Sequence, residues 1–490
     1  MRKFLSFIVE AKLAGETHLL TQQAIAINAL GQSKDFADLE NPLVRVHAGR
    51  LRKQLEEYYA TEGYFNTLRI SLPIGSYQPT FIANVHNYPA LYENKNSSIS
   101  LGPSLICIPR NLTSENNNWA FIACLARDYV TTLSRFSFCQ VLFIDESAVQ
   151  QANWPDDLRA QHQADFGLFF DLYQDEQGYC LKCSLVHSVT TEIAWAHSIE
   201  LGTKYPSVLQ AQTIFKRIAN DTVSYERGFA IDYWARYLIS LDKPIPPQYQ
   251  LIVACRRLAW SISAENLKAA VLICEERLRL FPHDVTALIV YADFCRVEYL
   301  LKYGVISQLK ETLATTISSL QQQATNNAYT HIYTAFLYML DEDFPAALES
   351  VDKSQELNPL DSHLNVVTGM MYMALDQWEL GSQYVQDSIN ISANYPDWYH
   401  VPLCIYYYRE GKYLEAIQAA KQVKFKHLWG PMLRAALYSC NDAQEKSSLE
   451  YQSLLLDHPD LEKKQTTLTA DFTRKSQAII SKIWEHLPKK

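Results

Sequence analysis

The sequence predicts a multidomain α+β protein: an N-terminal unit of three helices and a hairpin, a central α/β domain, and a C-terminal array of helix pairs. Three observations lead to this prediction. The chain has 490 residues, which is too long for one compact domain. Apolar residues alternate with a strand period in two separate stretches and with a helical period elsewhere. Small residues recur at spacings of 34 and 35 residues near the C-terminus.

The N-terminal unit is organised around a helix predicted over residues 42–62. Asn41 suits the N-cap and Pro42 suits the first helical position, where no backbone N–H is needed. Helices over 2–14 and 20–30 precede it, and Gly31 ends the second of them. Apolar residues at helical spacing predict the side that faces the core, namely Val44, Ala48, Leu51, Leu55 and Tyr58.

The other face of this helix carries four cations, Arg45, Arg50, Arg52 and Lys53. Cations on the exposed side of one helix can meet phosphate oxygens and guanine edges. We therefore predict that these residues bind DNA, with Arg45 and Arg52 nearest the bases and Arg50 and Lys53 on phosphates. In the alternative, Arg50 or Arg52 pairs with Glu56 or Glu57 on a solvated helix.

Polarity alternates after Gly63 and predicts a two-stranded hairpin. Leu68, Ile70 and Leu72 form the apolar side of the first strand. A turn over 73–76 follows, and 77–82 returns as an edge strand that contains Pro79.

These residues resemble a known family. VRVHAGRLRKQL at 44–55 is similar to the recognition helix of OmpR-type winged-helix regulators, and LPIGSYQPTF at 72–81 is similar to their wing. The match is nearer to a module that precedes TolB-like and tetratricopeptide segments in bacterial proteins, some of them fused to adenylate cyclases. The resemblance implies a winged helix-turn-helix over residues 1–86. Ile74 departs from it, because the family usually has a basic residue before the wing glycine.

Residues 87–103 are polar and rich in turn formers, and they predict a linker. Residues 104–205 alternate between strands and a helix, and they resemble the TolB-like domain. Strands are predicted at 104–108, 141–144, 164–173, 180–189 and 193–201, with a helix over 116–136. We find no Gly-rich phosphate loop and no nucleophile elbow here, and Cys180 and Cys183 have no zinc-spaced partners. We therefore predict no catalytic, cofactor or metal site.

Residues 206–490 predict stacked helix pairs. Ala347, Gly381 and Ala416 recur where the second helix of a pair packs, and Gly411 lies in a turn. The pattern resembles tetratricopeptide repeats, which implies a protein or peptide partner and allows a homodimer. Tyr406, Tyr407 and Tyr408 are interpreted as core residues rather than as the lining of a peptide groove.

The net charge of residues 1–86 differs from that of the rest of the chain. The net charge of the chain is −9; residues 1–86 hold nine Lys and Arg against eight Asp and Glu, so the rest carries −10. Nucleic-acid binding is therefore expected only at the N-terminal cluster. No membrane span is predicted, and scattered single cysteines indicate a reducing cytoplasm. The sequence predicts a DNA-binding transcriptional or signalling regulator with an interacting repeat region. The alternative is a non-enzymatic scaffold whose winged helix does not bind DNA.

Overall fold

The computed structural model describes residues 2–33, 42–60, 68–83, 102–111, 128–142, 164–176, 178–202, 208–241, 245, 247–391, 394–424, 428–459, 461 and 474–488. The chain divides into two compact units. The first comprises Met1–Ser98 with Leu238–Pro247, and the second comprises Ile99–Tyr237 with Gln248–Lys490. The four segments predicted from the sequence, 1–86, 87–103, 104–205 and 206–490, stay predictions beside this division.

The first unit contains three helices and a hairpin. The helices are α1 (Arg2–Leu13), α2 (Gln22–Asn28) and α3 (Leu43–Ala60), and strands β1 (Leu68–Ser71) and β2 (Thr80–Ala83) pair antiparallel. The Thr21 hydroxyl accepts from the Ala24 N–H at the start of α2, and Gly31 follows α2 with a φ of +69°. Asn41 and the predicted helix end at 61–62 lie outside the described residues.

The core of this unit follows the apolar stripe of α3. Val44, Ala48, Leu51 and Leu55 are buried together with Phe4 and Ile8 of α1, Ile25 of α2 and Leu72 after β1. Tyr58 differs from the prediction because it is 39% exposed. It lies almost one turn beyond Leu55, which is the last residue of α3 in the buried core cluster.

The second unit begins with a five-stranded mixed sheet. Its strands are β3 (Ser104–Asn111), β4 (Gln140–Leu142), β5 (Phe166–Asp175), β6 (Gly178–His187) and β7 (Ile193–Gly202), in the order β4-β3-β5-β6-β7. β3 is parallel to both of its neighbours, and the other pairs are antiparallel. Of the helix predicted over 116–136, residues 128–133 are helical, and 116–127 lie outside the described residues.

The predicted end of β3 at Pro109 is wrong, because the strand continues to Asn111. Described residues of β4 pair only with Ser104–Ile106, whereas β5 pairs along Leu105–Asn111. One side of β3 thus lacks a described strand partner at Pro109. A proline is tolerated where no ladder hydrogen bond requires its missing N–H.

The rest of the second unit is helical. Its helices are α4 (Val208–Val223), α5 (Phe229–Ser240), α6 (Pro247–Trp260), α7 (Ala264–Leu280), α8 (Val285–Leu301), α9 (Leu309–Gln323), α10 (Ala328–Leu340), α11 (Phe344–Leu357), α12 (Ser362–Ala374), α13 (Trp378–Ile391), α14 (His400–Arg409), α15 (Tyr413–Gln422), α16 (Trp429–Cys440), α17 (Gln444–Asp457) and α18 (Arg474–Glu485). Successive helices from α8 to α17 pack in pairs, which confirms a C-terminal helical-repeat region.

The turns inside these pairs repeat more regularly than the sequence does. A residue with positive φ precedes the second helix of each pair from α8–α9 to α16–α17, namely Gln308, Glu342, Asp376, Gly411 and Asp442. Gly411 has the φ of +71° that glycine adopts without steric cost. Gln308 and Glu342 give no turn signal in the sequence, and Asp376 and Asp442 give only a weak one, because aspartate tolerates this conformation but is also common elsewhere.

Small residues let the paired helices approach closely. Ala347 of α11 and Ala416 of α15 are fully buried, as predicted for the second helices. Gly381 of α13 faces Gly369 of α12, and a Cβ atom on Gly369 would lie 2.6 Å from the Gly381 carbonyl oxygen. Larger residues at either glycine would therefore push these two helices apart.

The sheet and the helices of the second unit share side-chain contacts. The Phe138 ring stacks on Tyr225 with 4.2 Å between centroids, and the Tyr129 hydroxyl lies 3.1 Å from that of Thr222. The Asn358 amide, between α11 and α12, donates to the Arg135 carbonyl at 3.1 Å. These contacts fix the loop after α4, which contributes Tyr225, Glu226 and Arg227 to the site described below.

Candidate functional site

The predicted cation cluster lies on the exposed side of α3. Arg45 and Lys53 share one face of the helix with Gly49 between them, and Arg50 lies beside that face. These three cations are exposed. Neither Arg45 nor Arg50 forms an ion pair with another described residue. This surface can therefore offer its charges to an anion.

Arg52 has a different environment from the other three cations. Its Nε donates to the Leu72 carbonyl at 2.8 Å, and its Nη2 donates to the carbonyls of Pro73 at 3.0 Å and Ser76 at 3.3 Å. One guanidinium thus holds three carbonyls of the hairpin turn against α3. The predicted base contact of Arg52 stays a prediction, and the observed contacts point to a positioning role.

The tip of the hairpin carries no cation. Ile74 is 93% exposed there, next to Gly75 with a φ of +83°. A phosphate that approached this tip would meet an apolar side chain. The hairpin tip therefore offers no positive charge to an anion, in contrast to the exposed side of α3.

A second candidate site, absent from the sequence prediction, is a cavity of about 250 Å³ in the second unit. It is lined by α6, by the first helices of the pairs (α8, α10, α12, α14 and α16), and by α18. Most of its wall is apolar, including Met339, Met370, Met371, Met373, Trp378, Trp398 and Trp429. The methionines of the run TGMMYMA at 368–374 were the available sequence signal, but a methionine run is equally typical of a core.

Buried charges form one end of the cavity. Asp293 and Arg296 of α8 are joined by a 2.8 Å ion pair, and Trp398 Nε1 donates to Glu226 at 3.1 Å. His363 of α12, beside this end, is 1% exposed. Its Nδ1 lies 3.5 Å from Glu226 Oε1 and its Nε2 lies 3.9 Å from Asp293 Oδ1. At these distances neither ring nitrogen of His363 has a hydrogen-bond partner among the described residues.

The carboxylates decide the protonation of His363. Burial alone lowers the pKa of this imidazole, but the charges of Glu226 and Asp293 outweigh burial, and its pKa is raised above the ordinary value. Conversely, burial raises the pKa of Asp293, but Arg296 and His363 outweigh that effect and lower it. Asp293 and His363 therefore shift each other's pKa toward the charged form.

Two guanidinium groups at the same end are not fully paired. Arg256 is 1% exposed; its Nη1 donates to the Glu226 backbone carbonyl, while its Nε has no acceptor among the described residues. The buried Nε of Arg227 likewise has no acceptor in the part of the chain that the structure describes. Both residues line the cavity. Buried N–H groups without an acceptor cost free energy, so this end favours an acceptor from outside the protein.

Several other polar and aromatic groups have structural roles. Arg110 forms two 2.6 Å hydrogen bonds with Asp171 on the neighbouring strand, and Cys183 is buried in β6. Tyr406 and Tyr408 are buried and do not line the cavity. Within the described ranges, no group of three or more His, Cys, Asp and Glu is arranged to hold a metal ion. None of the described helices combines the length and apolarity needed to cross a membrane.

Replacing Arg52 with Gln should release the hairpin from α3. Three hydrogen bonds from a charged donor would be lost, and for a half-buried group this is worth about 1–3 kcal/mol of local opening free energy. Hydrogen exchange followed by mass spectrometry should therefore show faster exchange over residues 68–83. Arg50→Gln is the matched control and should leave the exchange unchanged. Equal exchange in the Arg52→Gln variant and the parent would contradict the positioning role.

No family model matches the chain, and no curated protein matches it. Among solved structures it is similar to a chain from the functional characterization of Pseudomonas aeruginosa pilF, with 13% identity and a TM-score of 0.31 over 47% of this chain and 94% of that one. It is also similar to YrrB, described as a TPR protein with an unusual peptide-binding site, with 15% identity and a TM-score of 0.26 over 38% and 93%.

A third similar structure is the APC/C hetero-tetramer Cut9–Hcn1, with 13% identity and a TM-score of 0.31 over 58% of this chain and 61% of that one. At these identities and TM-scores, the assignment of helical repeats rests on this chain's own helix pairs and turns.

Proposed function

We propose that the protein is a non-enzymatic regulator that binds DNA through its N-terminal unit and a protein partner through its helical repeats. The observation that carries the DNA part is the set of exposed cations on α3, next to a hairpin held in place by Arg52. Three helices followed by a hairpin have the order of a winged helix, in which the third helix enters the major groove.

The proposed DNA contacts differ among the four predicted residues. Arg45, Arg50 and Lys53 are exposed and would contact bases or phosphates. Arg52 would act indirectly, because it sets the angle of the hairpin against α3. Ile74 at the hairpin tip would contribute little to charge recognition.

The proposed partner of the repeats is a second copy of the chain. The three exposed cations on α3 would give one copy only weak DNA binding at physiological salt. Two copies on one duplex would be needed for useful affinity. Leu449 and Leu456 lie seven residues apart on one face of α17, and they are 60% and 84% exposed. Leu414 of α15 is 63% exposed. Exposed leucines on successive second helices favour a surface that another protein covers.

A scaffold that does not bind DNA is the second candidate function. The net charge of +1 on residues 1–86 and the apolar hairpin tip favour it. The two functions predict opposite results in a DNA retention experiment, so one measurement separates them.

Charge reversal on α3 tests the DNA-binding function. The full-length protein should retain fragments from a genomic DNA pool at low salt, and Arg45→Glu with Arg50→Glu should reduce retention at least about tenfold, because attraction becomes repulsion. Lys268→Glu, on an exposed position of α7, is the matched control and should bind as the parent does. Circular dichroism would verify folding. Equal binding by the double variant would refute this site, and no retention by the parent would favour the scaffold.

Sedimentation equilibrium tests the second-copy proposal. The parent should form dimers at micromolar concentrations, and the double change Leu449→Ser and Leu456→Ser should weaken dimerisation at least about tenfold by removing apolar contact area. Leu272→Ser, at a 56% exposed position of α7, should have no effect. A monomeric parent at all concentrations would exclude a second copy as the partner.

A further inference from the structure

We propose that the cavity lined by the first helices of the pairs binds a long-chain aliphatic monocarboxylate. The alkyl chain would lie among the methionine and tryptophan side chains, and the carboxylate would lie against Arg256 and Arg227. This site is distinct from the DNA-binding and dimerisation surfaces proposed above, and its test depends on neither of them.

The wall of the cavity suits an alkyl chain. Met339, Met370, Met371 and Met373 contribute flexible thioether side chains that adapt to an irregular apolar ligand. An extended peptide would bury backbone N–H and C=O groups against a wall that offers few partners, which costs several kcal/mol per unpaired group. An alkyl chain has no such groups.

The charged end of the cavity suits a carboxylate. Three lining cations, Arg227, Arg256 and Arg296, oppose three lining acids, Glu226, Asp293 and Asp397. The acids already have donors, since Asp293 pairs with Arg296, Glu226 accepts from Trp398, and Asp397 accepts from the Lys424 N–H at 2.8 Å.

Among the residues that line the cavity, Arg227 and Arg256 each have a buried Nε without an acceptor in the described part of the chain. Arg256 forms no ion pair with a described residue, and it is almost completely buried. A buried guanidinium without a counter-ion is unfavourable, and a carboxylate is the anion that matches its planar donors. His363 lies behind Glu226, with its Nδ1 3.5 Å from the Glu226 carboxylate.

The volume of the cavity limits the ligand to a small molecule. Its volume of about 250 Å³ exceeds that of engineered apolar cavities that hold one benzene, which are about 150 Å³. It is below the range of about 300–1,000 Å³ that is typical of drug-sized ligands. A single alkyl chain with a small head group fits these limits better than a ring cofactor.

Titration of the full-length protein with dodecanoate tests the proposal directly. Calorimetry and the fluorescence of Trp378, Trp398 and Trp429, which line the cavity, should both report saturable binding. Dodecanol has the same chain without the charge and should bind at least about tenfold more weakly. Dodecyltrimethylammonium has the opposite charge and should show no saturable binding.

Variants locate the site. Arg227→Gln should weaken dodecanoate binding at least about tenfold while leaving dodecanol binding unchanged. Ala374→Phe, at a half-buried position on the cavity wall, should abolish both by filling the space. Arg279→Gln, on an exposed part of α7, should bind dodecanoate as the parent does.

Three results would overturn the proposal. No saturable binding of dodecanoate to the folded parent would exclude this ligand class. Equal binding of the three head groups would mean that only apolar contact matters. Binding that survives Ala374→Phe would place the ligand elsewhere. Neither the DNA retention result nor the dimerisation result changes under any of these outcomes, so failure here is distinguishable from failure of the proposed function.

Discussion

The buried charges around His363 are the interaction on which the helical unit most depends. Glu226 comes from the loop after α4, Asp293 and Arg296 from α8, His363 from α12, and Trp398 from the turn before α14. Breaking a buried pair by removing one partner is strongly destabilising, because the other charge stays buried. The cluster therefore fixes four distant segments in one arrangement, and this arrangement creates the cavity beside it.

Apolar burial alone does not specify such an arrangement. Stacked helix pairs gain stability from contact area in many relative positions, whereas charges with defined partners favour one. The close approach of Gly369 and Gly381 also favours one relative position of the helices, because only two glycines permit that helix crossing. In the N-terminal unit Arg52 has the corresponding role, because it selects one position of the hairpin on α3.

The sequence was most informative where a local pattern determines structure. The stripe from Val44 to Leu55, the strands β5 to β7 and the small residues Ala347, Gly381 and Ala416 follow from periodicity. The continuation of β3 through Pro109 depends on which strand lies beside it, and no local pattern contains that information. The cavity was missed for the same reason: Glu226 and His363 are 137 residues apart, and only packing brings them together. The contact of Arg52 with the hairpin also could not be predicted, because it depends on how the hairpin packs against α3.

If α3 contacts phosphates, DNA binding by the full-length parent must weaken as the salt concentration rises, and a salt series measures this dependence. Each neutralised phosphate contributes a slope of about −0.9 to log K against log salt concentration. With Arg45, Arg50 and Lys53 in contact, we expect a slope of about −2 to −3 for each bound copy. A slope near zero, or no binding in low salt, would contradict phosphate contact by α3.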